Sequence, residues 1–286
     1  MKTIAVSDSK QSKKNSVNTK TPVVLKIKSD LCYDNAHEIV EDVRGLILKH
    51  PKQIVLDFST VEMIDSSRLR ALLESHRLCD KAKIELRLTS LSRCIVRIIN
   101  MSGFGDLLNI PQITLNDHTS GLMSKFDYDS QSWNVVEYVA ASDPSVIAIL
   151  RSKVRDAALK AGVKDDILCD IQIAVGEALT NAYKHGSPNK GTDKITLRCM
   201  SCSKALVIEV EDEGTPFDPD SVAEPNPEHM RENGMGIFIM RQAMDAVEFK
   251  SDCPGNRIRM IKWFDTEEEL VEDKPQNQPC QLTLLT

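Results

Sequence analysis

The chain has 286 residues, a net charge of −6 and a hydrophobic fraction of 41%, which is enough length and apolar content for two packed domains. The well-mixed, mildly acidic charge argues against general binding to nucleic acid, and no apolar run reaches the length of a membrane span. The opening stretch MKTIAVSDSKQSKKNS lacks the apolar core of a signal peptide, so a cytoplasmic protein is expected, with its eight cysteines reduced and disulfides improbable.

Residues 1–21 are polar and rich in Lys and Ser, as in a flexible tail. VVLKIK (23–28) then predicts a strand, NAHEIVEDVRGLILKH (35–50) a helix, and the nearly continuous apolar run QIVLDFS (53–59) a covered strand. SSRLRALLESHRLCD (66–80) places Leu69, Leu72, Leu73 and His76 on one helical face, and KIELRLT (83–89) alternates as a strand does. SRCIVRIINMSG (92–103) predicts a helix closed by Gly103, and QITL (112–115) a last short strand. Strands alternating with helices make residues 22–115 an α/β unit.

The polar stretch 116–131 is the expected linker. WNVVEYVA (133–140) opens a second unit as a strand, followed by helices over about 144–161 and 164–185. KITLRCM (194–200) and ALVIEVED (205–212) pair as strands, and an acidic, Pro-containing loop runs over 213–232. A helix over about 234–245 and two strands, AVEFKS (246–251) and RIRMIKWF (257–264), complete it. Residues 132–265 therefore read as an α+β unit with a mostly antiparallel sheet, and 266–286 as an acidic and then polar tail. Cys199 and Cys202 have metal-ligand spacing, but no second pair completes a tetrahedral set, and the plain reading is a strand end entering a turn.

The helix ending IAVGEALTNAYKHG (173–186) carries the chemistry. Glu177, Asn181 and His185 recur every four residues and share a face beside an apolar stripe of Ile167, Ile171, Ala174, Ala178 and Ala182. EDEGTPFDP (211–219) then leads an acidic strand end into a glycine, and ENGMGIFIMRQAMDAVEF (232–249) opens an apolar helix with Gly234 and Gly236. A glycine-rich helix N-terminus offers backbone N–H groups to phosphate, and an Asp at a strand end can accept from an adenine amino group. Asn181 offers an oxygen to Mg²⁺, and Glu177 one turn earlier can take a proton from an attacking hydroxyl.

In that order, the three motifs make residues 132–265 resemble the GHKL (Bergerat-type) ATP-binding α/β sandwich, and within it the anti-sigma factor serine protein kinases of bacterial partner switching. The resemblance implies ATP and Mg²⁺ as cofactors, with Glu177 as catalytic base and Asn181 as Mg²⁺ ligand. It also implies Asp212 on adenine, ATP contacts at Asn181, Gly214, Gly234, Met235 and Gly236, and an ATP lid over 215–233. His185 reads more simply as the helix end, with Gly186 after it. Where that family often has a small residue and Thr after the last glycine, this chain has Asn256 and Arg257, which puts ATP affinity in question or offers Arg257 to a phosphate.

IVLDFSTVEMIDSSRLRALL (54–73) makes residues 22–115 resemble a STAS domain of the anti-sigma factor antagonists. That resemblance implies Ser66 as phosphoacceptor; without it, Asp65 or Ser66 is simply a helix N-cap. Arg68 and Arg70 replace two glycines usual in the family and can neutralise a phosphate or block close contact. Together the resemblances imply an N-terminal STAS domain fused to an ATP-dependent serine kinase that phosphorylates a STAS serine in cis or in trans. Implied partners are a sigma factor, a STAS antagonist and a serine phosphatase, with room for a homodimer and no nucleic acid or membrane. Two readings compete: a non-catalytic ATP-binding module, and a histidine kinase using His37 in NAHEIVEDV (35–43), which lacks the expected downstream Pro.

Overall fold

A computed structural model describes residues 22–28, 36–113, 132–219, 234–250, 255–264 and 281–285. The N-terminal unit holds β1 (Val23–Lys26), α1 (Ala36–Ile47), β2 (Gln53–Asp57), α2 (Ser66–Lys81), β3 (Glu85–Thr89) and α3 (Arg93–Met101). Its three strands form a parallel sheet in the order β1-β2-β3. Ile54 and Leu56 of β2 are fully buried, as the central strand of a covered parallel sheet requires. The expected strand at 112–115 is not formed over its described part: Gln112 and Ile113 are irregular, Gln112 bonding Asp106, and residues 114–115 lie outside the described residues.

The second unit holds β4 (Asn134–Ala141), α4 (Pro144–Lys160), α5 (Asp165–Lys184), β5 (Lys194–Ser201), β6 (Ala205–Asp212), α6 (Met235–Ala243), β7 (Ala246–Lys250), β8 (Asn256–Trp263) and β9 (Gln281–Leu285). Six strands form one sheet in the order β7-β8-β6-β5-β4-β9, antiparallel except for the parallel pairing of β9 on β4. β9 corrects the expectation that 266–286 is only a tail: five residues of its end extend the sheet.

The helices α4, α5 and α6 cover one face of this sheet. On the other face, alternation turns Arg198, Glu209, Glu211, Arg257 and Arg259 into cross-strand ion pairs, with a small apolar cluster around Val207, Ile261 and Trp263. The two units are not beads on a string. α3 lies against α5 and α6, α2 touches α6, and one continuous apolar core runs through both units. Covered by the sheet on one side and by the first unit on the other, α5 has every side chain from Cys169 to Thr180 buried.

A disulfide joins α3 to α5 through Cys94 and Cys169, 75 residues apart in sequence. This overturns the expectation of reduced cysteines throughout: the two helices bring the Cα atoms to 5.2 Å, inside disulfide reach. Beside it Arg97 makes a two-pronged bond to Asp170, at 2.7 and 2.8 Å, with both side chains buried. Lys262 stands 3.6 Å from the same carboxylate, so Asp170 faces two cations. Burial is still the largest influence on it and pushes its pKa up, with Arg97 and Lys262 opposing.

Candidate functional site

α2 begins with Asp65 as N-cap, its Oδ1 accepting from the Arg68 amide at 2.8 Å. The N-cap reading therefore holds for Asp65, which leaves Ser66 as the first residue of the helix. The Ser66 hydroxyl donates to Glu177 Oε2 at 2.7 Å, and the Ser66 amide donates to Glu177 Oε1 at 2.6 Å. The neighbouring Ser67 hydroxyl accepts from Lys184 Nζ at 2.8 Å. Serine and candidate base, 111 residues apart in sequence, are in direct contact.

Glu177 is 2% exposed. Burial, and then the nearby Asp65 carboxylate, push its pKa from an ordinary 4.5 up to about 7, while the two Ser66 bonds and Lys184 pull the other way. Gly236 makes room for it. A Cβ at that position would stand 2.6 Å from Glu177 Oε2, so any side chain there drives the carboxylate out of place.

A cavity of about 410 Å³ opens beside this contact. Ser66, Ser67 and Arg70 of the first unit line it, with Thr180, Asn181, Lys184, His185, Asp212, Gly234 and Arg257 of the second. Glu177, Gly214, Met235 and Gly236 are not in its wall. Glu177 lies behind Ser66, Gly236 backs Glu177, Gly214 packs on Gly186, and the Met235 side chain is in the core. His185 is the C-cap of α5 as well as a wall residue, so the helix-end reading holds. Burial and the Lys184 charge lower its pKa, which favours neutral imidazole.

Asp212 is the best-held polar group at the far end. Its Oδ1 accepts from the Gly214 amide at 2.9 Å and from Asn256 Nδ2 at 2.9 Å. Gly186 passes so close that a Cβ would lie 2.1 Å from the Asp212 carboxyl carbon. Asn256, the departure noted above, also donates to the Thr215 carbonyl and accepts from the Phe217 amide at 2.8 Å. It thus ties Asp212 to the first residues of the expected lid, whose remainder, 220–233, lies outside the described residues. Arg257 lines the cavity but spends its Nε on Glu211 at 2.7 Å.

These walls fit a nucleotide. Gly186 packs directly on the Asp212 carboxyl and so lets it stand at the cavity wall, Gly234 starts α6 at φ 104° with the helix N-terminus toward the cavity wall, and Thr180 Oγ1 is buried without a protein partner. His37 is exposed on α1, which packs on α2, and takes no part in the cavity. Cys199 and Cys202 are free buried thiols, and no group of three or more His, Cys, Asp or Glu residues able to hold a metal occurs among the described residues. The residues that sequence reasoning passed over are Lys184, Gly186, Thr180 and the Arg97–Asp170 pair. Only Gly186, next to the polar row, carried a local signal.

A family model for the histidine kinase-like ATPase domain matches residues 140–262, and one for the STAS domain matches residues 13–118. A serine-protein kinase RsbW of Bacillus licheniformis is 30% identical over 140 residues, covering 46% of this chain and 87% of that protein. One from Listeria monocytogenes is 31% identical over 139 residues, covering 46% of this chain and 86% of the relative. This chain belongs to the RsbW serine-protein kinase family. RsbW of Bacillus velezensis, 28% identical over 146 residues, covers 48% of this chain and 91% of its own length. Each of these RsbW proteins accounts for less than half of this chain, which carries a STAS domain besides. No described helix is long and apolar enough to cross a membrane.

Proposed function

We propose that this chain is an ATP-dependent anti-sigma serine kinase that phosphorylates Ser66 of its own STAS domain. The observation that carries the reading is the 2.7 Å bond from the Ser66 hydroxyl to Glu177, beside a cavity of about 410 Å³ walled by Asn181, Asp212 and the start of α6. Glu177 is the general base: a carboxylate with its pKa near neutrality accepts the hydroxyl proton as the oxygen attacks. The Ser66 amide bond fixes that oxygen, and Lys184 steadies Ser67 next to it. Asp212, held by Gly214 and Asn256, receives the adenine, and the start of α6 at Gly234 and Met235 faces the phosphates. Asn181 is the Mg²⁺ ligand, and ATP with Mg²⁺, when bound, supplies the phosphoryl group and neutralises its charge. A sigma factor or a separate STAS antagonist, a resetting serine phosphatase and a second copy of the chain complete the proposed set of partners.

The test is incubation with Mg-ATP followed by mass spectrometry of intact protein and peptides. One phosphate at Ser66, absent from Ser66→Ala, Glu177→Ala and Asn181→Ala, is expected. Mixing a Glu177→Ala chain with a Ser66→Ala chain separates transfer within a chain from transfer between chains. Nucleotide binding with no phosphate on wild type, even with added STAS proteins, would favour a module that only binds ATP.

A further inference from the structure

The covalent link between the two domains lies on the helix that carries Glu177. Cys169 stands on α5 two turns before Glu177, and Cys94 stands in the first turn of α3. Cys94 is half-buried and Cys169 is 8% exposed, so a small reagent reaches the pair from the Cys94 side. The other described cysteines offer no competing chemistry. Burial pushes the Cys79 thiol up to about 11 and the Cys199 thiol up to about 12, and Cys202 is raised the same way. Ion pairs hold the register around the bond: Arg97 to Asp170, and Arg93 to Asp165 at 3.3 Å.

We propose that Cys94 and Cys169 are a reversible thiol–disulfide site, oxidised by low-molecular-weight disulfides, that clamps the STAS domain over the kinase cavity. Bond formation balances as thiol–disulfide exchange. The Cys94 thiolate attacks a small disulfide and releases one small thiol. The Cys169 thiolate then attacks the Cys94 sulfur of the mixed disulfide and releases the second. Two protein thiols are oxidised and one small disulfide is reduced to two thiols. Cys94 is the entry point, being the more accessible sulfur and placed at a helix N-terminus, where an anionic sulfur is favoured. In the clamped form the cavity wall includes Ser66, Ser67 and Arg70, so no other protein can present a serine there. In the reduced form the domains are held by the chain connection and by non-covalent contacts alone, namely the apolar packing, the Arg93 and Arg97 ion pairs and the Ser66–Glu177 and Ser67–Lys184 bonds, and the site opens to acceptors on other chains. The consequence for phosphorylation rests on Ser66 and Glu177 being acceptor and base; the clamp itself does not.

The experiment uses the full chain with a specific protease site inserted between residues 113 and 132, equilibrated in oxidised and reduced glutathione at graded ratios. After cleavage, denaturing non-reducing electrophoresis should show the halves joined at oxidising ratios and separate at reducing ones, with Cys94→Ser and Cys169→Ser separate throughout. Hydrogen exchange on the uncut chain should be at least tenfold faster at the amides of Ser66 to Arg70 when reduced. A Ser66→Ala chain should phosphorylate a Glu177→Ala, Cys94→Ser chain at least tenfold faster when reduced. Halves that separate at every ratio would overturn the proposal. So would a bond that forms but leaves exchange at Ser66 to Arg70 unchanged. A redox-dependent exchange rate with no phosphate in either state would uphold the clamp and refute the kinase assignment of Ser66.

Discussion

Glu177 receives two hydrogen bonds from Ser66, its proposed substrate, in a site where burial and Asp65 both resist its ionisation. A base must be charged to act. Phosphorylation of Ser66 should therefore rise about tenfold per pH unit below about 7 and level off above it, measured as an initial rate at saturating Mg-ATP. Asp65→Asn keeps a helix cap but removes the like charge, and should move that midpoint down. The same carboxyl bears on stability. The native state holds its proton more tightly than the unfolded chain, so stability falls as pH rises from 4.5 through about 7. Glu177→Gln cannot ionise. It should match wild type at pH 4 and exceed it at pH 8, by at most roughly 3 kcal/mol, in denaturant titrations at both pH values. Gly236→Ala tests the space around the same atom: its Cβ would stand 2.6 Å from Oε2, and a loss of at least about a hundredfold in phosphorylation is expected with the fold retained.

Among the elements, α5 was the most legible and α3 the least. The four-residue recurrence of Glu177, Asn181 and His185 marks one polar face because helix geometry stacks those positions whatever surrounds them. β6 begins and ends where the pattern ALVIEVED does, since one flank is a Ser- and Lys-containing turn and the other an Asp-x-Gly. α3 reads as an ordinary amphipathic helix, and nothing local says that Arg97 is buried or that Cys94 meets Cys169. Pairings across 73 and 75 residues have no signature in either segment. β9 escaped for a related reason: five residues after a polar stretch become a strand only because β4 offers them an edge. The buried pair at α3 gives its own prediction. Arg97→Met leaves Asp170 with Lys262 alone and should cost roughly 3 kcal/mol in urea unfolding, at the low end for a broken buried pair. Arg97→Met with Asp170→Leu should recover most of it, because Lys262 keeps the Ala243 carbonyl and Asp245.

At the scale of the whole molecule, the two resemblances are each readable from motifs within one domain, whereas the way the domains meet is not. Ser66 and Glu177 lie in separate domains joined by a linker that reads the same for any docking. What decides the arrangement is shape and charge at long range: the α3–α5 register, the bridging disulfide and the shared core. Docking also sets what happens after transfer. A phosphoserine at position 66 would place close to two negative charges against Glu177 and Asp65, so the product form favours separation of the domains. The bond from Ser66 to Glu177 has an arithmetic consequence as well. If transfer to Ser66 stays within the clamped chain, each copy would succeed once and then be spent until its phosphoester is hydrolysed. Turnover number would then stop at one, the fraction marked per unit time would not depend on how much of the chain is present, and output would be tallied in molecules marked rather than in catalytic speed.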